Sequence, residues 1–491
     1  MAFSTPFFTA LGPLLFGRRR RSLIEQLLLQ DQDQRSLSQY QEAFGEFIPK
    51  TLLARKPTGE EETKTRARIF TPLITFWAFL AQVLERGSSC RHALRRIIAW
   101  WHFQDPKSAA PSEATTSYCN ARARLEEAVL RQIGDHLSDR LEGNIPSDQL
   151  WQGRHVKIVD GTTLSMPDTA ANQLQWPQPR SQKPGCGFPL LKLTGLFSLA
   201  SGALLQSAES SRRTHELVLA RQFWPCLETG DVLLSDRGFC AYQDLSTLAA
   251  RAVDCVMRLH QARSADFRRG KRLGPNDRLV VWTKPAQRPK KCTPEEYAAM
   301  PKTLTLRLLR FQVQAPGFRT KEVILVTTLL DPKLYPASAL AELYFQRWTV
   351  ELHFREIKTL LGMDVLRCKS PAMILKEVAM QRIAYNLVRA LMQRAAITHH
   401  IALSRISFKG TLDSLHHYAD TIQACAGKPR CQARLLKELL AIIAQDLLPL
   451  RPWRSEPRAR KRRPKNYHLL TKPRHTMRVP PHRNHPKTGL S

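Results

Sequence analysis

The spacing of apolar residues changes character twice along the chain. Residues 20–150 are rich in Leu, Ala, Gln and Arg and contain few β-branched alternations, which predicts mostly helix. From Trp151 the pattern changes to short β-branched runs bounded by Gly, Pro and polar residues, which is typical of strands. Leu- and Ala-rich segments return at 371–396 and 412–448 and predict helices. The pattern therefore predicts an α/β centre between two helical regions.

Two of the predicted strands each carry an aspartate. Residues 155–163 read His-Val-Lys-Ile-Val-Asp-Gly-Thr-Thr, and residues 231–239 read Asp-Val-Leu-Leu-Ser-Asp-Arg-Gly-Phe. Each apolar run predicts a buried strand that delivers an Asp, Asp160 or Asp236, at its C-terminal end. Taken alone, each Asp is more simply explained as a turn residue after a strand.

A third segment places one carboxylate beside three groups that can bind phosphate. Residues 341–361 contain no Pro or Gly and show an apolar stripe, which predicts one helix with Gly362 as its C-cap. At about 100° per residue, four side chains of this helix fall within roughly one 60° sector. A charged surface helix with ordinary ion pairs is the alternative. The four residues are Tyr344, Arg347, Glu351 and Lys358.

Other polar residues near this helix have simpler explanations. His353 lies on the opposite side of the predicted helix from Tyr344, so we expect a core histidine rather than a metal ligand. Glu356 is expected to be an ordinary surface charge. Tyr344 could act as a nucleophile, as in tyrosine recombinases, but the carboxylates would then have no task.

The three acidic residues have the chemistry of a metal-dependent phosphoryl-transfer site. Phosphodiester exchange needs an activated oxygen nucleophile and a stabilised leaving oxygen, and two Mg²⁺ ions roughly 3.5 to 4 Å apart provide both. Carboxylates are ligands that Mg²⁺ or Mn²⁺ prefers. Asp160 would bridge both ions, Asp236 would complete one site and Glu351 the other. No covalent protein intermediate is required.

The segments 155–163, 231–239 and 341–361, in this order along the chain, resemble the DDE transposases of bacterial insertion sequences. The resemblance is to the insertion-sequence-four family in particular, with its Tyr-Arg-Glu-Lys signature. The resemblance covers residues from about 150 to 400. It implies an RNase H-like catalytic core with the first Asp on the first strand, the second on the fourth strand and the Glu on a later helix. It also implies that Arg347, Lys358 and Tyr344 hold the transposon-end backbone beside the metals.

Between the second Asp and the Glu lies a predicted β-rich insertion, residues 257–329. Its β-type runs are 278–284, 303–313 and 321–328, and the last is predicted to return to the core as its fifth strand. Related transposases place a tryptophan of this insertion against a flipped base during hairpin formation. The matching position here holds Val323. Trp282 is an alternative, although a core tryptophan is the preferred interpretation.

Charge identifies the class of partner. The chain has 75 Lys and Arg against 42 Asp and Glu, a net charge of +33 and a pI of about 10.3, which indicates a polyanion, by default nucleic acid. The run Arg458–Arg463 predicts a flexible phosphate-binding arm. The apolar stretch Met1–Phe16 is broken by prolines and precedes its arginines, so we expect a cytoplasmic, nucleoid-associated bacterial protein without membrane contact.

Cysteine spacing indicates reduced thiols. The ten cysteines show no zinc-like pattern, and Cys425 and Cys431 lack histidine partners. No disulfide is therefore expected.

The helical region before residue 150 contains one candidate DNA-binding motif. Residues 72–86, Gly87 and residues 88–101 have the outline of a helix, a tight turn and a second helix. If it binds transposon ends, the basic residues of the second helix are the candidate contacts. Two amphipathic core helices with a solvated basic face are the preferred alternative. The basic residues are Arg91, Arg95 and Arg96.

The predicted fold is an α/β RNase H-like catalytic core with a β-rich insertion, preceded by an α-helical DNA-binding region and followed by a basic helical and disordered tail. Its units are residues 1–150 for DNA-end binding, 151–256 and 330–400 for the core, 257–329 for the insertion and 401–491 for the C-terminal region.

The predicted function is that of a transposase. A homodimer would synapse the terminal inverted repeats of double-stranded DNA, cleave them with two Mg²⁺ ions and join the 3′ hydroxyls to target DNA. One alternative is a catalytically silent DNA-binding derivative that represses transposition. Another is a nuclease that cuts without strand transfer.

Overall fold

The computed structural model describes residues 41–44, 47–48, 69–104, 112–312, 322–425, 428–450, 472–473 and 476. The predicted apolar segment Met1–Phe16 and the basic run Arg458–Arg463 lie outside the described residues. Helices precede and follow a centre that contains the strands, as the apolar pattern predicts, and the mixed α/β class is confirmed.

The described strands form one nine-stranded mixed sheet in the order β3-β2-β1-β4-β5-β9-β8-β7-β6. The β1–β4 and β4–β5 pairs are parallel, and the other neighbours are antiparallel. The strands are β1 Val156–Ser165, β2 Leu190–Ser198, β3 Leu204–Ser211, β4 Val232–Ser235, β5 Asp254–Arg258, β6 Lys271–Gly274, β7 Asp277–Thr283, β8 Thr303–Gln312 and β9 Glu322–Thr327.

Strand β1 is longer than the sequence predicts. Its first four residues are buried and pair with all four residues of β4, as expected for a central parallel strand. The strand then continues, because Gly161 to Ser165 pair with β2 after β4 has ended. The prediction that Asp160 ends its strand is therefore wrong, since Asp160 lies in the middle of β1. Asp236 directly follows β4, as predicted.

The predicted insertion extends the sheet. Strand β5 pairs in parallel with β4, from Val232 opposite Asp254, and is the fifth strand along the chain. The prediction that residues 321–328 supply that strand is wrong, because β5 already occupies the place beside β4. Strand β9 returns instead on the far side of β5 and pairs with it antiparallel. Strands β8, β7 and β6 then continue the same sheet outward.

Helices precede, interrupt and follow the strands. The longest, α12, is buried along most of its length and packs against α5. Its Arg382 Nε donates to the carbonyl oxygen of Leu204 at 3.1 Å. The helices are α1 Gln41–Phe44, α2 Pro72–Leu84, α3 Cys90–Gln104, α4 Thr116–Arg124, α5 Glu127–Gly143, α6 Ala170–Gln175, α7 Glu216–Ala220, α8 Tyr242–Ala250, α9 Pro294–Ala299, α10 Ala337–Gln346, α11 Thr349–Arg355, α12 Pro371–Thr398, α13 Phe408–Ala424 and α14 Pro429–Gln445.

The predicted helix–turn–helix outline is present as α2 and α3. The Thr71 hydroxyl caps α2 by accepting from Ile74 N–H at 3.2 Å, and Pro72 occupies its first turn. Gly87 adopts a φ of 93° between the helices, a conformation that favours glycine. Buried residues of both helices share a small core with α4. Helix α2 therefore packs on a core, in agreement with the interpretation of the two segments as amphipathic core helices.

Two further findings concern cysteines and membrane contact. Cys425 and Cys431 are joined as a disulfide, so the prediction of ten reduced thiols is wrong at this pair. The two residues stand at the facing ends of α13 and α14, with Cα atoms 6.0 Å apart, within the range that a disulfide spans. None of the described helices is both long and apolar enough to cross a bilayer.

Candidate active site

Asp160 and Asp236 occupy equivalent positions relative to the paired residues of β1 and β4, two neighbouring parallel strands. The last paired residues of β1 and β4 are Val159 and Ser235, and each aspartate is the next residue along its strand. Asp160 Oδ1 accepts from the N–H of Gly161 at 2.8 Å, and Asp236 Oδ1 accepts from Arg237 N–H at 2.6 Å. Strand pairing thus brings together two carboxylates that lie far apart in the sequence.

The environment of Asp160 opposes its ionisation. Burial raises the pKa of Asp160 to about 6, against the lowering effects of the Gly161 N–H and the Arg347 guanidinium. The neighbouring carboxylates of Asp236 and Glu216 raise this pKa further. Burial is therefore the main reason that Asp160 ionises less readily than a solvent-exposed aspartate.

The segment predicted as one helix over 341–361 is divided into three parts. Helix α10 ends at Gln346, α11 begins at Thr349, and a π-helical turn follows from Glu356 to Leu360. The prediction of a continuous helix is wrong because Arg347 and Trp348 form a break between α10 and α11. The predicted C-cap is present, since Gly362 adopts a φ of 80° just after the turn.

Arg347 stands at this break and faces β1. Its Nη1 lies 3.7 Å from Asp160 Oδ2, while its Nε has no hydrogen-bond partner in the described chain. The side chain is 7% exposed, and its guanidinium lies over the Trp348 ring at 4.8 Å from the centroid. Arg347 therefore pairs with one catalytic candidate and retains a buried donor.

Tyr344 is buried beside the same carboxylates. It is 1% exposed and contacts Trp348 edge to face. Burial raises its pKa to about 12, with Arg347 and Arg258 lowering the pKa and Asp236 raising it. Burial therefore disfavours the phenolate form that a nucleophilic tyrosine would use.

Lys358 is fixed to β1 by the π-helical turn. Its Nζ donates to the hydroxyl of Thr162 at 3.0 Å and to the carbonyl oxygen of Thr163 at 3.1 Å. π-turns are uncommon and occur often at functional sites. The π-helical turn thus places the Lys358 ammonium against β1, at residues two and three positions after Asp160.

The residues between Glu351 and Lys358 anchor the segment to the core. His353 is buried, stacks on Phe197 and lies 3.3 Å from Glu356 Oε2, so its predicted core role is confirmed. The prediction that Glu356 is a surface charge is wrong. It is largely buried because Tyr385 and His353 both contact its carboxylate.

Glu351 stands apart from the two aspartates. It lies in the first turn of α11 with its side chain exposed. Among the described residues it makes no ion pair or side-chain hydrogen bond. No group of three or more His, Cys, Asp or Glu side chains in the described part of the chain is placed to hold a metal ion. The structure therefore brings Asp160, Asp236 and Arg347 together, holds Lys358 to the strand of Asp160, and does not group Glu351 with the two aspartates.

Sequence patterns did not reveal the carboxylate of Glu216. Its side chain lies against the Cα of Gly161, where an added Cβ would stand 2.9 Å from the carboxyl carbon. Lys192 Nζ is 3.7 Å from Glu216 Oε1 and donates to the Thr214 carbonyl at 2.8 Å. Glu216 begins a short helix after β3 without any motif of its own, so only the sheet topology could have indicated it.

The remaining candidates lie away from this cluster. Arg91 and Arg95 are exposed on α3, while Arg96 pairs with Glu85. Val323 is buried, so it presents no exposed surface at the matching position. Trp282 is partly buried against the core, and the Arg263 guanidinium lies over its ring at 4.0 Å.

Both aspartates lie in a segment of the chain that matches a known protein family. Residues 151–387 match the family described as the transposase DDE domain. The chain is 26% identical over 434 residues to the transposase InsG for insertion sequence element IS4 of Escherichia coli strain K12, covering 87% of this chain and 93% of that protein. It is also 26% identical over 337 residues to the transposase for insertion sequence element IS421 of Escherichia coli, covering 63% of this chain and 81% of that protein.

A solved structure also aligns with the chain. It is the cryo-EM structure of the piggyBac transposase synaptic complex with hairpin DNA, at 10% identity and a TM-score of 0.39, over 84% of this chain and 86% of that chain.

Proposed function

The chain belongs to the DDE transposases of bacterial insertion sequences, close in type to the transposase of element IS4, and from that membership we propose a catalytic role for the Asp160 site. The protein would cleave transposon ends and join their 3′ hydroxyls to target DNA. The observation that supports this proposal is that Asp160 and Asp236 each directly follow the last paired residues of β1 and β4, Val159 and Ser235.

The sheet supports assigning an RNase H-like core to this chain. The order β3-β2-β1-β4-β5 has two antiparallel pairs followed by two parallel pairs. In such a core the first and fourth strands carry the two acidic residues, which corresponds to Asp160 and Asp236. Residues 151–256 and 330–400 would form this unit, with 257–329 as the insertion. The flanking units would be 1–150 for end binding and 401–491 for the C-terminal region.

The donor chemistry at β1 and β4 fits a divalent cation. Two hard carboxylates adjoin each other, and burial holds Asp160 at a pKa of about 6 in spite of Arg347. Asp160 and Asp236 would hold Mg²⁺ or Mn²⁺, and Glu351 would join them when DNA is bound. When bound, such ions lower the pKa of an attacking hydroxyl and stabilise the leaving oxygen.

The other side chains would bind and orient the DNA backbone. Arg347 has a planar donor group suited to a phosphate, and its unpartnered Nε supports that role. Lys358 would place a point charge beside β1, and protonated Tyr344 would donate a hydrogen bond to the same DNA strand. The net charge of +33 supports DNA as the partner, and Arg91 and Arg95 of α3 are accessible for phosphate contacts.

A cleavage and strand-transfer assay tests the proposal. The element's own ends would be incubated with Mg²⁺ and wild-type protein, Asp236→Asn, Glu351→Gln or Glu342→Gln. Glu342 is an exposed carboxylate on α10 and serves as the matched control. We expect wild type and Glu342→Gln to cut and join, while the other two bind ends without doing either. Light scattering on the DNA complex would show whether it contains two protein copies.

Two results would replace the proposal. Wild-type protein that binds ends but never cuts them would favour a silent DNA-binding repressor of transposition. Cutting without joining would favour a nuclease built on the same core.

A further inference from the structure

A cavity of about 570 Å³ lies between helices α2 to α4 and the segment that follows the π-helical turn. None of the residues proposed to act on DNA lines it. Its apolar wall includes Phe79, Val83, Leu361 and Met373. The volume falls in the range of small-molecule sites, and an apolar wall with few polar groups is typical of such sites.

Three buried polar atoms on the wall have no hydrogen-bond partner in the described chain. They are Arg122 Nε, Ser88 Oγ and Gln381 Oε1, on side chains that are 5%, 8% and 5% exposed. Buried polar groups are nearly always paired, because an unpaired one costs roughly 1–3 kcal/mol. Three such atoms around one cavity indicate a ligand or ordered water.

Arg122 is a buried cation without a carboxylate partner within 4 Å in the described chain. Its Nη1 donates to Gln82 Oε1 at 3.3 Å and to Cys90 Sγ at 3.2 Å, and its Nη2 donates to Cys368 Sγ at 3.1 Å. Burial raises the pKa of Cys368 well above its usual range, so this thiol supplies no negative charge. The guanidinium also stacks on Phe79, 3.9 Å from the ring centroid.

The two acidic side chains of the wall already have partners. Glu377 accepts backbone N–H groups of Arg367 and Cys368 at 3.0 Å. Glu85 pairs with Arg96 and with His92. Arg367 and Lys369 add positive charge to the lining, so three cations face two occupied carboxylates. The local charge balance favours an anion.

We propose that this cavity binds a small organic anion with an apolar body. The anionic group accepts a hydrogen bond from Arg122 Nε, and the body packs against Phe79 and Met373. The inference does not depend on the DNA chemistry proposed above, since it rests on different residues.

Isothermal titration of the full-length protein tests the charge requirement. The probes are 1-naphthoate and its neutral analogue 1-naphthalenemethanol. We expect saturable binding of one naphthoate per chain, about tenfold or more tighter than the alcohol, because a hydrogen bond to a charged group adds that much. Arg122→Met should abolish the preference. Arg251→Met is the control, because Arg251 is exposed and lies outside the cavity lining.

A second variant and a second readout keep the test decisive if Arg122→Met fails to fold. Met373→Trp fills the cavity from a partly buried position and should weaken binding of both probes about tenfold while the protein keeps its thermal unfolding temperature. Naphthoate should also slow alkylation of the exposed wall residue Cys119 by N-ethylmaleimide, with exposed Cys226 as the unaffected control. Absence of saturable binding, equal affinity for both probes or no effect of Met373→Trp would overturn the proposal and leave a water-filled cleft.

Discussion

Arg347 Nη1 lies 3.7 Å from Asp160 Oδ2 and so connects the break between α10 and α11 to the middle of β1. The guanidinium is almost fully buried, yet its Nε has no partner in the described chain. One side chain therefore offsets part of the negative charge at the aspartate pair and keeps a donor for a further group. Its planar shape is as important as its charge for this double task.

Replacing Arg347 by Lys should reduce strand transfer about tenfold or more, because an ammonium cannot offer two fixed donors in one plane. Arg347→Ala should reduce it further, by roughly a hundredfold, since the charge is lost as well. Rates of end joining at saturating protein measure both effects. Arg355→Lys is the matched control on the exposed face of α11. Wild-type rates for Arg347→Lys would contradict the proposed role.

Replacing Arg307 by Met should lower the free energy of unfolding by roughly 3–5 kcal/mol, because it leaves a buried carboxylate unpaired. Arg307 is fully buried and pairs with Asp277 at 2.9 and 2.6 Å. On the same strand, Arg310 lies 4.0 Å from exposed Glu322. Arg310→Met should therefore cost less than about 1 kcal/mol. Urea unfolding of both variants checks the difference, and equal losses would refute it.

Replacing Tyr385 by Phe should cost roughly 1–3 kcal/mol, because a buried carbonyl loses its donor. The hydroxyl donates to the Gly202 carbonyl oxygen at 2.7 Å and lies 3.4 Å from Glu356 Oε2. Tyr418→Phe, on a partly buried helix face, is expected to stay within about 0.5 kcal/mol of wild type. Chemical denaturation gives both values. If the two variants behave alike, the Tyr385 hydroxyl does not anchor the hairpin between β2 and β3.

The stabilising effect of His155 should fall as the pH rises. The Glu142 carboxylate, whose Oε2 lies 3.4 Å from Nδ1, raises the pKa of His155, and burial opposes this shift. Because the folded pKa exceeds the unfolded one, the protonated histidine stabilises the fold fully below pH 6.5, and this contribution is lost as the pH rises through the folded pKa.

Thermal unfolding of wild type and His155→Gln at pH 5.5 and 8.5 measures this dependence. The difference between the two proteins should be larger at pH 5.5. Exposed His417→Gln is the control. A constant difference across the pH range would show that the pair with Glu142 contributes no pH-dependent stability.

Local patterns were sufficient for many elements because each depends on neighbouring residues. The buried run before Asp236 predicted β4. Gly87 and Gly362 marked helix ends for the same reason. Arg347 and Lys358 both contact the strand that carries Asp160, although the single helix assumed for their spacing is divided.

Other features depend on contacts between distant segments. No helix-breaking residue marks the break at Arg347, which faces Asp160 on β1. The chain after the π-helical turn is held to the end of β1, since Leu366 N–H donates to the Ser165 carbonyl at 2.8 Å. The exposed position of Glu351 likewise follows from how α11 packs. Sequence spacing cannot specify such long-range pairings, and the assignment of the catalytic residues remains a prediction.

The path of β9 has an evolutionary consequence. The chain leaves the core at the end of β5 and returns as β9, with Arg258 opposite Leu325. The departure and return points are therefore adjacent, roughly 5 Å apart as in any antiparallel pair. Because its ends are neighbours, the segment between β5 and β9 can be inserted, lengthened or deleted while β1 and β4 keep their register. The sheet topology thus permits a change in chain length between Asp236 and Glu351 without a change in the order of the core strands.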